Sequence, residues 1–136
     1  MVLFSGNAFS PTPLSVLTKG GHVPAILNAC GVKAACIGSH DLDFGVANLE
    51  AIIAQCDFPW LCANVSYKES GEPLCNAQRH IMLEHGGRMI GVMGLVDEGW
   101  LDALACVDRD TLVCKDFCEA PRPETSWSCL PSTLNR

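Results

Sequence analysis

The chain has 136 residues, of which 49% are apolar and 18% charged, with a formal charge of −6. That is enough apolar material for one domain with a real core, and too little charge for general disorder. The acidic balance and the scattering of the nine Lys and Arg argue against a nucleic-acid partner, which needs clustered cations to neutralise phosphates. No apolar run approaches the roughly 20 residues needed to span a bilayer, and Met1-Val2-Leu3-Phe4-Ser5-Gly6 lacks the basic start and apolar length of a signal peptide. The expectation is a soluble, cytoplasmic protein without a membrane partner. Nine cysteines are present. No Cys-x-x-Cys pair occurs, so neither a zinc ribbon nor a thioredoxin-like motif is indicated. Cys30, Cys36, Cys56, Cys62 and Cys106 fall in apolar runs, where cysteine acts as a small hydrophobe. Cys114 and Cys118 are spaced to share a helix face.

In chain order, Val2 to Ser5 reads as a strand entering a Gly6-Asn7 turn. Residues 10–21 read as loop, punctuated by Pro11, Pro13, Gly20 and Gly21. A short helix follows, with Pro24 in its first turn, Gly31 past its end, and Val23, Ile26, Leu27 and Cys30 on one face. Val32 to Ile37 is a buried strand. Leu49, Ile52, Ile53 and Cys56 mark a helix over about 46–56, and Trp60 to Val65 is another apolar strand. The order β-α-β-α-β implies a parallel sheet with covering helices. Ser66 to Pro73 is a polar loop. Arg79 to His85 and Arg88 to Val96, joined by Gly86-Gly87, form a hairpin with a tight primed turn. Asp97 caps a short helix containing Trp100, Leu101 and Leu104, and Leu112 to Cys114 is one more strand. From Pro121 the chain is rich in Pro, Ser, Thr and Trp without periodicity.

The chemistry concentrates in Gly38-Ser39-His40-Asp41-Leu42-Asp43-Phe44-Gly45, a polar turn between the strand at 32–37 and the helix at 46–56. Carboxyl ends of strands are where open α/β sheets place their sites, and a carboxylate three residues after a histidine can orient its ring. Read on its own, the turn allows a plainer account, with Asp41 or Asp43 capping the following helix and His40 filling space.

The turn resembles the Gly-Asn-His-(Asp/Glu)-x-Asp signature of the calcineurin-like metallophosphoesterases, and in particular their 5′-nucleotidase branch. Leu3-Phe4-Ser5-Gly6-Asn7-Ala8-Phe9-Ser10-Pro11 is similar to that family's strand ending in Gly-Asp. The segments 58–65 and 87–95 are similar to its later strands, and the likeness runs from about residue 2 to about residue 119. The fold implied is α/β, a partial layered sandwich with a mixed sheet and helices on its faces. Residues 1–119 would be part of the catalytic domain and 120–136 a tail unlike the family. The function implied is metal-dependent hydrolysis of nucleotide or related phosphate esters, with two divalent ions (manganese, zinc or similar) activating water.

The resemblance also implies residue roles. His40 and Asp43 become a catalytic dyad in which the carboxylate orients the imidazole and the imidazolium stabilises charge developing on phosphorus. Asn7 stands at the position of the carboxylate that bridges the two ions, and Ser39 at that of an asparagine ligand. Both are degenerate metal positions, because a neutral side chain cannot balance two dications. The family's Asp-x-His pair and Gly-His-x-His block have no counterpart here, and His22, His80 and His85 stand outside any ligand block. The chain therefore reads as a truncated member, weak or inactive alone and unable to hold metal tightly. Its partner if active is a phosphate-ester small molecule, and an open sheet edge invites self-association. Competing readings are a non-catalytic binding or regulatory module and a fragment without a function of its own. Asn64-Val65-Ser66 matches the glycosylation pattern by chance.

Overall fold

The computed structural model describes residues 1–120, so the tail expected over 120–136 lies, apart from Ala120, outside the described residues. Three parallel strands organise the first half: β1 (Val2–Phe4), β2 (Val32–Cys36) and β3 (Trp60–Leu61), in the order β1-β2-β3. Phe4 pairs with Ala35, and Ala35 in turn with Trp60. On β2, Ala34 and Ala35 are both buried although they point to opposite faces. This explains the continuous apolar run, since a parallel strand covered on both sides needs no polar alternation. β1 is the edge, and Val2 and Leu3 are nearly half exposed.

Between β1 and β2 lie two helices, α1 (Pro13–Thr18) and α2 (Val23–Ala29). The second starts as expected, with Pro24 in the first turn and Val23 and Leu27 buried, but Ile26 of the expected apolar face is exposed. The first replaces part of the expected loop. Its proline is a start signal rather than a break: Thr12 caps the helix and Pro13 occupies the first turn. Ser15 closes a reciprocal capping box, its N–H donating to Thr12 Oγ1 at 3.0 Å while its hydroxyl accepts from the Thr12 N–H at 2.8 Å. The helix α3 (Val46–Ile53) buries Leu49 and Ile52 as its periodicity requires.

The expected strand over Trp60 to Val65 is broken. β3 ends at Leu61, and Val65 opens a separate strand β4 (Val65–Tyr67), which takes the first part of the expected polar loop and pairs antiparallel with β7 (Leu112–Cys114). The break is held by Asn64, only 2% exposed. Its amide nitrogen donates to the carbonyls of Val96 (2.7 Å) and Lys115 (3.1 Å), and its oxygen accepts from the Val96 N–H at 3.0 Å. That amide is spent inside the fold and offers no acceptor for a glycan.

The hairpin has the expected form, β5 (His80–His85) against β6 (Arg88–Met93), with Gly86 and Gly87 at φ 60° and 73° in its turn. Backbone bonds from Cys62 N to Gln78 O (2.9 Å) and from Ala63 N to Gly94 O (2.7 Å) join it to the end of β3. A short 3-10 segment at Glu98–Ala103 follows, capped by Asp97 through the Gly99 N–H. The architecture is thus α/β with parallel and antiparallel pairing around one core, in which Trp60 packs on Phe9 and Phe58 at ring separations of 5.2 and 6.1 Å. No helix among the described residues is long and apolar enough to cross a membrane.

Two expectations about cysteine are corrected. Cys62 is buried, but Cys30 and Cys106 are exposed, because Cys30 falls at the helix end and Cys106 in an irregular segment. Cys114 lies on a strand and Cys118 in a turn, so they share no helix face.

Candidate functional site

Since β1 and β2 are parallel neighbours, the segments leaving them start side by side. After Phe4 the chain runs through Ser5, Gly6 and Asn7; after Cys36 it runs through Ile37 and Gly38 into a 3-10 turn at Ser39–Leu42. The two segments touch backbone to backbone. A Cβ on Gly6 would lie 2.6 Å from Gly38 N, and one on Gly38 2.5 Å from Asn7 N, so glycine at both positions is a packing requirement. Gly6 also needs its φ of +93°.

His40 and Asp43 are together: Nδ1 of the imidazole lies 3.0 Å from Asp43 Oδ2. A spacing of three residues brings them onto one side of the 3-10 turn. Both side chains are partly open, at 47% and 36% exposure. The bond to Nδ1 fixes the ring's orientation and leaves Nε2 as its free nitrogen. The Cys106 thiol donates to the Asp43 main-chain carbonyl at 3.1 Å, a contact for which the sequence holds no signal.

Asn7 is also at the site, with φ +59°. Its Oδ1 accepts the His40 N–H at 3.0 Å, which ties the first loop to the start of the 3-10 turn. Ser39 is half-buried in the same turn. The other histidines are elsewhere. His22 precedes α2 and hydrogen-bonds Thr18 Oγ1 at 2.8 Å, while His80 and His85 sit at the two ends of β5.

Neither Asp41 nor Asp43 caps α3. That helix begins at Gly45 without a side-chain cap. Asp41 instead turns inward, 1% exposed, and its carboxylate accepts four main-chain N–H groups. Gly38 and Asn7 donate to Oδ2 at 2.8 and 2.9 Å, and Ala8 and Phe9 to Oδ1 at 2.6 and 3.2 Å. Burial pushes the Asp41 carboxyl above the usual carboxylate range, against the downward pull of its N–H donors. The sequence showed an acid in the turn but not its partners in the first loop, which lie 32–34 residues away.

A pair of divalent ions does not fit the donors present. Among the described residues no three His, Cys, Asp or Glu side chains converge in a way that could hold a metal ion. The Asp41 carboxylate is consumed by backbone, Asn7 carries no charge and directs its oxygen to the His40 N–H, and Ser39 supplies only a neutral hydroxyl. Hard dications need anionic oxygen or imidazole ligands converging on one point.

No family model matches the chain. Among curated proteins it is 30% identical over 98 residues to Protein 5NUC of Lutzomyia longipalpis, an alignment covering 69% of this chain and 17% of the relative. It is 27% identical over 99 residues to the snake venom 5′-nucleotidase of Gloydius brevicauda, covering 69% and 16%. The chain therefore spans about a sixth of the length of these relatives. Of the solved structures, the 5′-nucleotidase precursor from Thermus thermophilus superposes with a TM-score of 0.70 at 21% identity, covering 87% of this chain and 23% of the other. The calcineurin-like phosphoesterase YfkN from Bacillus subtilis superposes at 0.65 and 20% identity, covering 85% and 40%. The structural likeness shows a shared fold, and both sequence relatives carry the 5′-nucleotidase name. The chain belongs to the 5′-nucleotidase branch of the calcineurin-like phosphoesterases, of which it carries one segment.

Proposed function

We propose that this segment carries the transition-state-stabilising dyad of a phosphoester hydrolase acting on nucleotide or related phosphate esters, and that the chain alone is weak or inactive. The observation that carries the reading is the His40 Nδ1–Asp43 Oδ2 bond of 3.0 Å at the carboxyl end of β2, beside the loop that follows β1. In this role Asp43 holds the ring, and Nε2–H of the imidazolium donates to a phosphoryl or leaving-group oxygen as charge builds there. Partial exposure of both side chains leaves that nitrogen open to a small phosphate ester. The family's chemistry draws its water from bound metal, and the donors at Asn7 and Ser39 do not supply it, so no step is routed through a metal here. A second reading, a binding or regulatory module that kept the sheet and lost the catalyst, is favoured by those same two positions.

The test is phosphate release from a nucleoside monophosphate and an aryl phosphate in the presence of manganese. The chain as it stands should release phosphate at background rate. A chimera in which residues 2–119 replace the matching segment of a full-length 5′-nucleotidase, with Asn7→Asp and Ser39→Asn restored, should turn over. In that chimera His40→Ala should cost about 10²–10⁴ in rate, as for a lost general acid or charge stabiliser. A chimera that is active and indifferent to His40→Ala sinks the dyad reading. Turnover by the unmodified chain that depends on His40 overturns the weak-activity part alone.

A further inference from the structure

Gly6 and Asn7, with φ values of +93° and +59°, bend the chain so that three successive N–H groups, those of Asn7, Ala8 and Phe9, converge on one point. Such a run of convergent amides is an anion-binding nest. Its anion is already supplied by the chain. An ionised carboxylate offers about four lone-pair sites, and Asp41 has all four filled: three by the nest and one by Gly38 N–H from the second loop. An apolar side chain here would leave those donors without acceptors, a cost that buried polar groups avoid only by pairing.

We propose that Asp41 is the positioning residue of the site: by filling the main-chain nest of the loop after β1 and tying it to Gly38, its carboxylate sets the spacing of the two loops without a metal ion, and so brings Asn7 to His40. Asp41 follows His40 in the chain, but its carboxylate makes no hydrogen bond to it, and the hydrogen-bonded link between them runs through Asn7. Asp41 holds the Asn7 N–H at 2.9 Å, and Asn7 Oδ1 in turn accepts the His40 N–H at 3.0 Å. His40 is then the residue that keeps Asp43 at its Nδ1. The nest, being occupied from within, is closed to a substrate phosphate. An ester at this site meets the His40 side chain rather than the amides of residues 7–9. The inference rests on His40 being the functional group of the site, but its readout is amide exchange rather than turnover, so it and the dyad reading fail on different measurements.

The experiment is residue-resolved hydrogen exchange on the whole chain, with and without a chelator. The amides of Asn7, Ala8, Phe9 and Gly38 should be protected in the unaltered protein even though they lie in loops, and EDTA should not change them. In Asp41→Asn, which sets an NH₂ group among N–H donors, those four and His40 should exchange at least about tenfold faster, while Ala35 and Ile37, bonded across the sheet to Pro59 and Leu61, stay near their original rates. Asp41→Glu should restore part of the protection. Asn7→Ala should release the His40 amide alone. Because Asp41 adjoins His40 and also holds Gly38 in the same turn, Asn7→Ala is the discriminating variant: it leaves the carboxylate in place, so release of His40 there shows that the coupling runs through Asn7, and a His40 amide that stays protected there overturns the proposal. The proposal is overturned if loop amides of the unaltered chain exchange at free-peptide rates, if EDTA releases them, or if His40 follows Ala35 rather than Asn7 in Asp41→Asn. If Asp41→Asn does not fold, the unaltered chain with chelator and the Asn7→Ala variant decide the matter.

Discussion

The parallel sheet with its two loops and the hairpin β5–β6 are built on opposite principles. The loop pair at the carboxyl ends of β1 and β2 is held by contacts between residues far apart in the chain: the N–H groups gathered by Asp41, the Asn7–His40 bond, and Phe9 packed on Trp60. The hairpin is held by its neighbours in sequence, with continuous pairing from His80–Met93 to His85–Arg88 around Gly86-Gly87. Its Met82 and Met89 are about half exposed, whereas Phe9 and Trp60 are 1% exposed. The difference teaches that the candidate site depends on completion of the core, while the hairpin is specified locally and adds little to it.

The largest effect should come from Trp60→Ala, which removes the ring on which Phe9 and Phe58 pack. A loss of about 3–5 kcal/mol is expected, enough to unfold a marginal domain, and urea denaturation followed by circular dichroism measures it. If Met82→Ala costs as much, the contrast between the two regions is wrong.

Alkaline pH probes the same core. Burial pushes Cys62 and Cys75 up to about 12 and Cys36 up to about 11, from an ordinary value of 9.0. A thiol raised on folding contributes stability that is fully present below the unfolded value and lost as pH rises through the folded one. Urea midpoints should therefore hold up to about pH 9 and fall steadily towards about pH 11–12. Thiol reagents at about pH 8, just below the ordinary thiol value, should modify Cys30, Cys106 and Cys118, which are exposed, well before Cys62 and Cys75. Rapid labelling of Cys62 in the folded chain would show that the core around β3 is open.

The glycines sharpen the comparison at smaller scale. Gly38→Ala drives a methyl group into the Asn7 backbone and should cost about 1–3 kcal/mol by overpacking, together with loss of exchange protection at Asn7. Gly87→Ala meets no neighbour within 4 Å but needs a φ of +73°, so about 1–2 kcal/mol is expected, confined to the hairpin amides. Equal disturbance of both regions by either change would contradict their independence. The smallest effect belongs to Met82→Ala, within about 0.5 kcal/mol on an exposed face, read as an unchanged thermal midpoint.

Much of the architecture is open to inspection in short windows. Gly86-Gly87 between two apolar runs specifies a primed turn, whereas the His40-to-Asp43 spacing of three residues only allows their contact, which the 3-10 turn then makes. Misreading arises where a local signal has two meanings. Pro13 reads as a break, whereas a proline after a capping threonine begins a helix. The apolar run from Trp60 to Val65 reads as one strand, although Asn64 within it bonds to Val96 and Lys115 and splits it. Apolar neighbours place the cysteines inside, but Cys30 and Cys106 face solvent.

By itself the sequence determined most of the elements, the α/β class and the family, because each depends on side-chain periodicity, turn chemistry or ordered blocks within a few residues of one another, and only through the family resemblance did it point to His40 with Asp43. Only the tertiary structure decided what Asp41 does, since a carboxylate in a turn can face solvent, cap a helix or go inward, and its four donors become neighbours only when β1 and β2 pair. It also decided that Asn7 spends its side-chain oxygen on the His40 N–H. An asparagine slightly displaced from that position would be free to seek another partner, and no pattern along the chain carries a distance of that kind across 33 residues.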